Sequence, residues 1–273
     1  MELIVFDLDG TLLNRQSRIS DYTRDTLKRL QERNIAYTVA TGRTLHAARD
    51  LLHGHGFELP QIFKNGVVIW NPLHQVYSHQ YLLTDSEIQH LLQALLDRDV
   101  SPFIFTLEPG QRHAVYHPPL RNETEQQLAQ LIGKDRNLPV LPIAQMPADA
   151  DISNISALGP KAALEAITGM VEMEPQLVAY MGRALEGNDL YWIDIHHSSG
   201  NKGGAVSLLK SELGIERVIC FGDSDNDLTM FQQADECYAP ENAKDDVKDA
   251  ATAVIGHHDA DGIARFLRQR FRL

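Results

Sequence analysis

The stretch that most constrains this chain lies at its start: Leu3-Ile4-Val5-Phe6-Asp7-Leu8-Asp9-Gly10-Thr11-Leu12-Leu13. Leu3 to Phe6 offer no polar face, so they read as a strand buried on both sides, as in a parallel sheet covered by helices. Gly10 permits a tight turn, and the strand therefore ends where two carboxylates stand at i and i+2. Open α/β sheets carry their ligand sites at the carboxyl ends of their strands. Asp7 and Asp9 suit two kinds of chemistry there. They can share a hard cation such as Mg²⁺, or one can attack an electrophile, as Asp does in phosphoryl transfer. The structural alternative is a strand closed by an Asx turn.

The next residues extend the pattern. Ser20 is a good N-cap for a helix to about Arg33 with Leu27 and Leu30 on one face. Asn34 ends it, and Ile35–Ala40 reads as a second parallel strand, giving a right-handed βαβ unit. That strand delivers Thr41-Gly42-Arg43 to the same sheet edge as Asp7. A Thr hydroxyl with a Gly amide at a helix start is a compact anion site; the plainer reading is an N-cap with a turn glycine. A helix over Thr44–His53 follows, and His53-Gly54-His55-Gly56 lacks zinc-like spacing, so it reads as a solvated helix end. Gln61–Ile69 is two apolar runs around Asn65-Gly66, a hairpin signal.

From Thr84 the pattern changes. Thr84 and Glu87 make a capping box for a helix carrying Ile88, Leu91, Leu92, Leu95 and Leu96. A hairpin (103–107, 114–117), a helix over Glu123–Ile132, an irregular Pro-interrupted 138–150, a strand Ile152–Leu158, a helix Pro160–Val171 and a strand Gln176–Leu185 follow. Hairpins mixed with helices predict a separate α+β domain with an antiparallel sheet. Tyr191–Ile195 returns to strand character, and Asn201-Lys202-Gly203-Gly204-Ala205 opens a helix ended by Gly214. A lysine opposes the macrodipole at a helix start, which makes Lys202 notable against the background of solvent-facing lysines. Arg217–Phe221 is a buried strand leading into Gly222-Asp223-Ser224-Asp225-Asn226-Asp227, whose three aspartates need a cation or abundant solvent. The spacing is near that of a calcium loop, but the required glycine and final glutamate are missing. A strand at Glu236–Ala239, a helix over Ala243–Ala250 and a last helix ending near Phe271 complete the chain.

The 273 residues suffice for one large domain or two ordinary ones, and 43% hydrophobic content provides ample core. A net charge of −12 with no compensating basic stretch argues against a nucleic-acid surface. No apolar run reaches the roughly 18 residues a membrane span needs. A start directly in a strand, and two cysteines (Cys220, Cys237), lead to the expectation of a cytoplasmic protein.

Asp7–Leu13 resembles the nucleophile motif of the haloacid dehalogenase-like (HAD) phosphatases. Val39–Arg43, Asn201–Ala205 and Gly222–Leu228 resemble that family's second, third and fourth motifs, in the family's order. The middle segment is similar in layout to the cap of the Cof-type, sugar-phosphatase-like branch. The resemblance implies an α/β fold: a Rossmann-like doubly wound parallel sheet core (1–83 and 189–273) with an inserted α+β cap (84–188) that sets specificity. It also implies a Mg²⁺-dependent phosphatase for a small phosphorylated metabolite, a monomer or weak homodimer, with no nucleic-acid or membrane partner. Asp7 would be the nucleophile forming an aspartyl-phosphate and Asp9 the general acid and base. Thr41, Gly42 and Lys202 would bind the phosphoryl group, with Leu8 N–H and Asn226 as further contacts. Mg²⁺ would sit on Asp7, the Asp9 carbonyl and Asp223, supported by Asp227. Arg43 either faces substrate or pairs with an acid, and Asn65, which would border the active site, would be a substrate contact. A phosphomutase on the same core, or a non-catalytic binding module, are the alternatives.

Overall fold

A computed structural model describes residues 2–110, 112–135, 138–184 and 189–273. The chain opens with β1 (Glu2–Phe6), α1 (Asp21–Glu32), β2 (Ala36–Val39), α2 (Leu45–Leu52), β3 (Gln61–Phe63), β4 (Val68–Asn71) and β5 (Val76–Gln80). It continues through α3 (Asp85–Leu96), β6 (Phe103–Glu108), β7 (Arg112–His117), α4 (Glu123–Asp135), β8 (Val140–Pro142), β9 (Asp151–Pro160), α5 (Lys161–Val171), β10 (Leu177–Arg183) and β11 (Leu190–His197). It ends with α6 (Lys202–Glu212), β12 (Arg217–Phe221), α7 (Leu228–Phe231), β13 (Glu236–Pro240), α8 (Asp245–Ala250), β14 (Ala253–Ile255) and α9 (Gly262–Phe271).

Two compact units result, one up to Gln80 and from Gly200 on, the other Tyr81–Ser199. The first is built on a parallel sheet of order β14-β13-β12-β1-β2. Leu3, Ile4, Val5 and Phe6 are all fully buried, as a strand sandwiched by helices requires; each contributes roughly 1.5–3 kcal/mol. From β1 the chain goes first to β2 on one side and later to β12 on the other. The strand order reverses at β1, and such a switch point leaves a crevice at the carboxyl edge. Asp7 stands there. An antiparallel meander, β3-β4-β5, is tied to the end of β2 by the Ala40–Ile62 bridge. Cys220 and Cys237 face each other across β12 and β13, both buried and unlinked, and burial pushes the Cys220 thiol pKa up, so it stays inert.

The second unit is a six-stranded sheet, β10-β11-β9-β6-β7-β8, antiparallel except for the β7–β8 pair. One core gathers Ile88, Leu91 and Leu95 of α3 and Leu164 and Ile167 of α5 around Ile104, Ile155 and Ile195. Because side chains alternate along a strand, Phe103 and Phe105 point the other way and pack with Val115, Ile132 and Leu138 in a second core.

Three details depart from the sequence reading. Leu190–His197, assigned above to the core, pairs with β9 and β10, so the units divide at 80/81 and 199/200 rather than 83/84 and 188/189. The segment 138–150, read as irregular, contains β8, whose Val140 lies opposite Val115. The strand expected to reach Leu185 ends at Arg183, and Leu185 lies outside the described residues. No described helix is long and apolar enough to cross a membrane.

Candidate active site

Four segments meet at the carboxyl edge of the parallel sheet. Asp7 stays in the sheet's hydrogen bonding, its N–H donating to the Phe221 carbonyl at 2.9 Å. The following turn is closed by Leu13 N–H donating to the Leu8 carbonyl at 2.9 Å. Gly10 takes φ 76°, and a Cβ there would lie 2.3 Å from Asp223 Oδ2. The glycine is thus required both by conformation and by space, and it lets the Asp223 carboxylate lie against the first turn. Thr11 Oγ1 donates to Asp223 Oδ1 at 3.3 Å.

Lys202 is the first residue of α6, whose N-cap, Asn201, accepts from Gly204 N–H. Its side chain is fully buried, and its ammonium donates to Asp7 Oδ1 and to Asp227 Oδ1, both at 2.6 Å. Asp227 is also fully buried; its Oδ2 accepts from Asp223 N–H at 2.8 Å and Ser224 N–H at 3.0 Å. Both oxygens of Asp227 are therefore engaged by protein donors, which suits a carboxylate that braces Lys202 and the Asp223 loop.

The charges do not balance. Burial pushes the Asp7 carboxyl well above its usual pKa range; Lys202 pulls it back, while Asp227 and Asp223 push it further up. Burial, with Asp227 close by, raises Asp223 to about 6, against the pull of Lys202. Burial penalises the Lys202 ammonium, yet Asp227 and Asp7 more than offset this and hold its pKa above the ordinary value. One ammonium, hydrogen-bonded to two of them, thus faces three carboxylates, Asp7, Asp223 and Asp227, whose oxygens lie within 4.8 Å of one another. Oxygen donors with suppressed ionisation, with the Lys202 ammonium as the one cation hydrogen-bonded to them among the described residues, match a hard divalent ion such as Mg²⁺. The residues fit the group.

Asp9 projects differently. Its carboxylate, 53% exposed, is gripped by Arg43: Nε to Oδ2 at 2.6 Å and Nη2 to Oδ1 at 2.5 Å. Of the two readings for Arg43, pairing with an acid is the one observed. Asp9 is more than half exposed while Arg43 is largely covered, so solvent screens part of the attraction in this two-toothed pair. Thr41 is buried, and its Oγ1 accepts from Arg43 N–H at 3.1 Å, leaving the hydroxyl proton to donate elsewhere. The Leu8 side chain is fully buried, so only its backbone can serve a ligand. Asn65 Oδ1 accepts from Asn226 Nδ2 at 2.8 Å, joining two residues that the sequence placed independently.

Asn242 escaped the sequence reading. Its Nδ2 donates to the Gly10 carbonyl at 2.7 Å, and its Oδ1 accepts from His258 N–H at 3.1 Å. Lys244 N–H donates to the Asp223 carbonyl at 3.0 Å. Both brace the carboxyl edge of the sheet from the loop after β13. Nothing near Asn242 in sequence carries chemistry; only the fold brings it to Gly10.

The chain is similar to known proteins over nearly its whole length. The chain is 29% identical, over 98% of both chains, to the 5-amino-6-(5-phospho-D-ribitylamino)uracil phosphatase YwtE of Bacillus subtilis. It is 26% identical to a second Bacillus subtilis phosphatase of the same name, YcsE, over 98% of this chain and 95% of that one. The crystal structure of a haloacid dehalogenase-like hydrolase from Bacteroides thetaiotaomicron superposes with a TM-score of 0.79 at 23% identity, covering 99% of each chain, and so shares the fold. The model of the haloacid dehalogenase-like hydrolase family matches residues 4–267. Spanning both units and all four segments of the site, that match establishes that the chain belongs to the haloacid dehalogenase-like hydrolases.

Proposed function

We propose that the chain is a Mg²⁺-dependent phosphatase that hydrolyses the monoester of a small phosphorylated metabolite through an aspartyl-phosphate on Asp7. The observation that carries this reading is the buried Lys202 ammonium, bridging Asp7 and Asp227 beside the under-neutralised Asp223. Lys202 holds one Asp7 oxygen and keeps the carboxylate aimed, so the other oxygen attacks phosphorus in line. The Thr41 hydroxyl, the Gly42 amide and Lys202 take the charge on the equatorial phosphoryl oxygens. Asp9, released from Arg43, protonates the leaving alkoxide and then accepts a proton from the water that cleaves the acyl phosphate. Asp7, Asp223 and the Asp9 carbonyl would hold Mg²⁺, which supplies charge neutralisation on the transferring group when bound. Asp227 acts through Lys202 and the Asp223 loop.

YwtE and YcsE are 5-amino-6-(5-phospho-D-ribitylamino)uracil phosphatases, which makes that ester the first substrate to test. Sugar phosphates and pyridoxal phosphate come next. We assign discrimination among them to the unit Tyr81–Ser199, because the four catalytic segments all lie outside it. Two free, buried cysteines support a reducing, cytoplasmic setting.

Phosphate release from this panel is the test, with Mg²⁺ and with EDTA. Release that EDTA abolishes is the expected result. Asp7→Asn, which keeps the shape of the side chain, is expected to lose turnover at least about 10³-fold with its fold intact. Normal turnover by that variant refutes the covalent mechanism.

A further inference from the structure

The turn between β3 and β4 is more than a hairpin connection. Phe63 pairs with Val68, and between them Lys64, Asn65 and Gly66 take φ 48°, 57° and 105° in succession. Left-handed backbone at a non-glycine residue costs roughly 1–2 kcal/mol, and such strain persists only where the surroundings hold it. They do so here on three sides.

Lys64 N–H donates to the Arg43 carbonyl and Asn65 N–H to the Thr41 carbonyl, each at 3.0 Å. A Cβ on Gly66 would lie 2.3 Å from the carbonyl oxygen of Asn201, the residue before Lys202. The Asn65 amide lies over Gly42, where a Cβ would meet its Oδ1 at 3.0 Å, and the same Oδ1 accepts from Asn226 Nδ2 at 2.8 Å. The Asn226 Oδ1 is buried without a partner, so among the described residues Asn65 alone orients that side chain by hydrogen bonding.

The topology explains why a brace is needed. Thr41–Arg43 follows β2 and the acidic loop Gly222–Asp227 follows β12, but β1 lies between those strands. No ladder hydrogen bond joins β2 to β12, so the sheet by itself does not fix the two loop tips against each other. We propose that Asn65 is a positioning residue: its amide holds Asn226, and with it the Asp223 loop, in register with the phosphoryl-binding turn at Thr41–Arg43. This rests on the phosphatase reading of the site, because register matters only if one phosphoryl group is held from both loops.

Asn65→Gly separates the two roles of the residue, because glycine keeps the left-handed backbone and removes only the amide. The variant is expected to stay folded with an unfolding midpoint near that of the wild type, because relief of the left-handed strain offsets the lost hydrogen bond to Asn226. Its kcat on p-nitrophenyl phosphate is expected to fall on the order of 10–100-fold, with a smaller change in KM. Mg²⁺ affinity, read without turnover by displacement of Tb³⁺ luminescence, weakens several-fold. Asn226→Ala gives the same losses, and the double variant loses no more than Asn226→Ala alone.

Wild-type kcat and Mg²⁺ affinity in Asn65→Gly overturn the proposal, as do fully additive losses in the double variant. If Asn65→Gly does not fold, unaltered kcat and Mg²⁺ affinity in Asn226→Ala overturn it equally. A wild-type protein that hydrolyses no monoester, while both variants still weaken Mg²⁺ binding, sinks the phosphatase reading and leaves the brace standing.

Discussion

Replacing Lys202 with methionine removes the ammonium and keeps most of the stem volume. At 2.6 Å and an effective dielectric near 20, each of its two ion pairs is worth about 6 kcal/mol of attraction. Desolvation of the buried ammonium offsets several kcal/mol of that, but the methionine variant gains little from this relief. It still buries Asp7 and Asp227, now without their cation. Orphaning one side of a buried pair costs about 3–5 kcal/mol, a large share of the roughly 5–15 kcal/mol available to a domain. Urea unfolding at pH 7 in EDTA, followed by circular dichroism and by the buried Trp70 of β4, measures the loss. The sign of its pH dependence follows from Asp7, whose folded pKa lies above its unfolded value. Asp7's share of the cost is absent well below its unfolded value of 3.8, where it is protonated in both states, and grows as pH rises towards the folded value. The gap between variant and wild type therefore narrows in acid. Asp7→Asn/Lys202→Met, with one orphan carboxylate fewer, is expected to recover at least about 1 kcal/mol. A single variant within about 1 kcal/mol of wild type at pH 7, or a double variant no better than the single, refutes the reasoning.

Two further outcomes follow from the same charge cluster. With Asp223 raised to about 6 in the folded state, metal-free stability falls as pH rises from about 4 through 6, by on the order of 2–3 kcal/mol. Asp223→Asn removes that component of the slope and also loses the rise in unfolding midpoint that Mg²⁺ gives the wild type; thermal melts in EDTA and in Mg²⁺ test both, and an unchanged pH slope counts against it. Gly10→Ala forces a methyl to 2.3 Å from Asp223 Oδ2 at a left-handed residue. It is expected to cost roughly 1–3 kcal/mol and to raise the Mg²⁺ concentration for half-maximal activity, whereas an unchanged metal requirement shows that Asp223 does not bind the ion.

Where local chemistry decides the structure, the sequence was readable. Ser20 and Thr44 cap α1 and α2 through their side chains, and Thr84 with Glu87 forms the capping box read from the sequence. Buried apolar strands ending in Asp7 and Gly222 put their polar loops on one edge because parallel strands share a direction. Tyr191–Ile195 was harder, since alternating residues suit any half-buried strand and do not name the sheet that receives them. Partners resolved it: Ile193 pairs with Ala157 and Met181. The Arg43–Asp9 fork, the Asn65–Asn226 pair and the Asn242 bond to Gly10 were beyond reach for a common reason. Each joins residues brought together only by tertiary structure, and neither spacing nor propensity encodes which side chains meet.

The placement of β1 has a consequence for biosynthesis. Ile4 lies opposite Ile219, so β1 leaves the ribosome well before the β12 strand it pairs with. At about 5–20 residues per second that delay is on the order of 10–40 s. During it, the intervening Tyr81–Ser199 unit, which has its own sheet and cores, has all it needs to fold first. The Leu3–Phe6 run meanwhile has only β2 beside it in the sheet, its other edge open to pairing with a neighbouring nascent chain. The same sequence separation that lets one strand unite the loops of the site leaves that strand paired on one edge only until β12 is made.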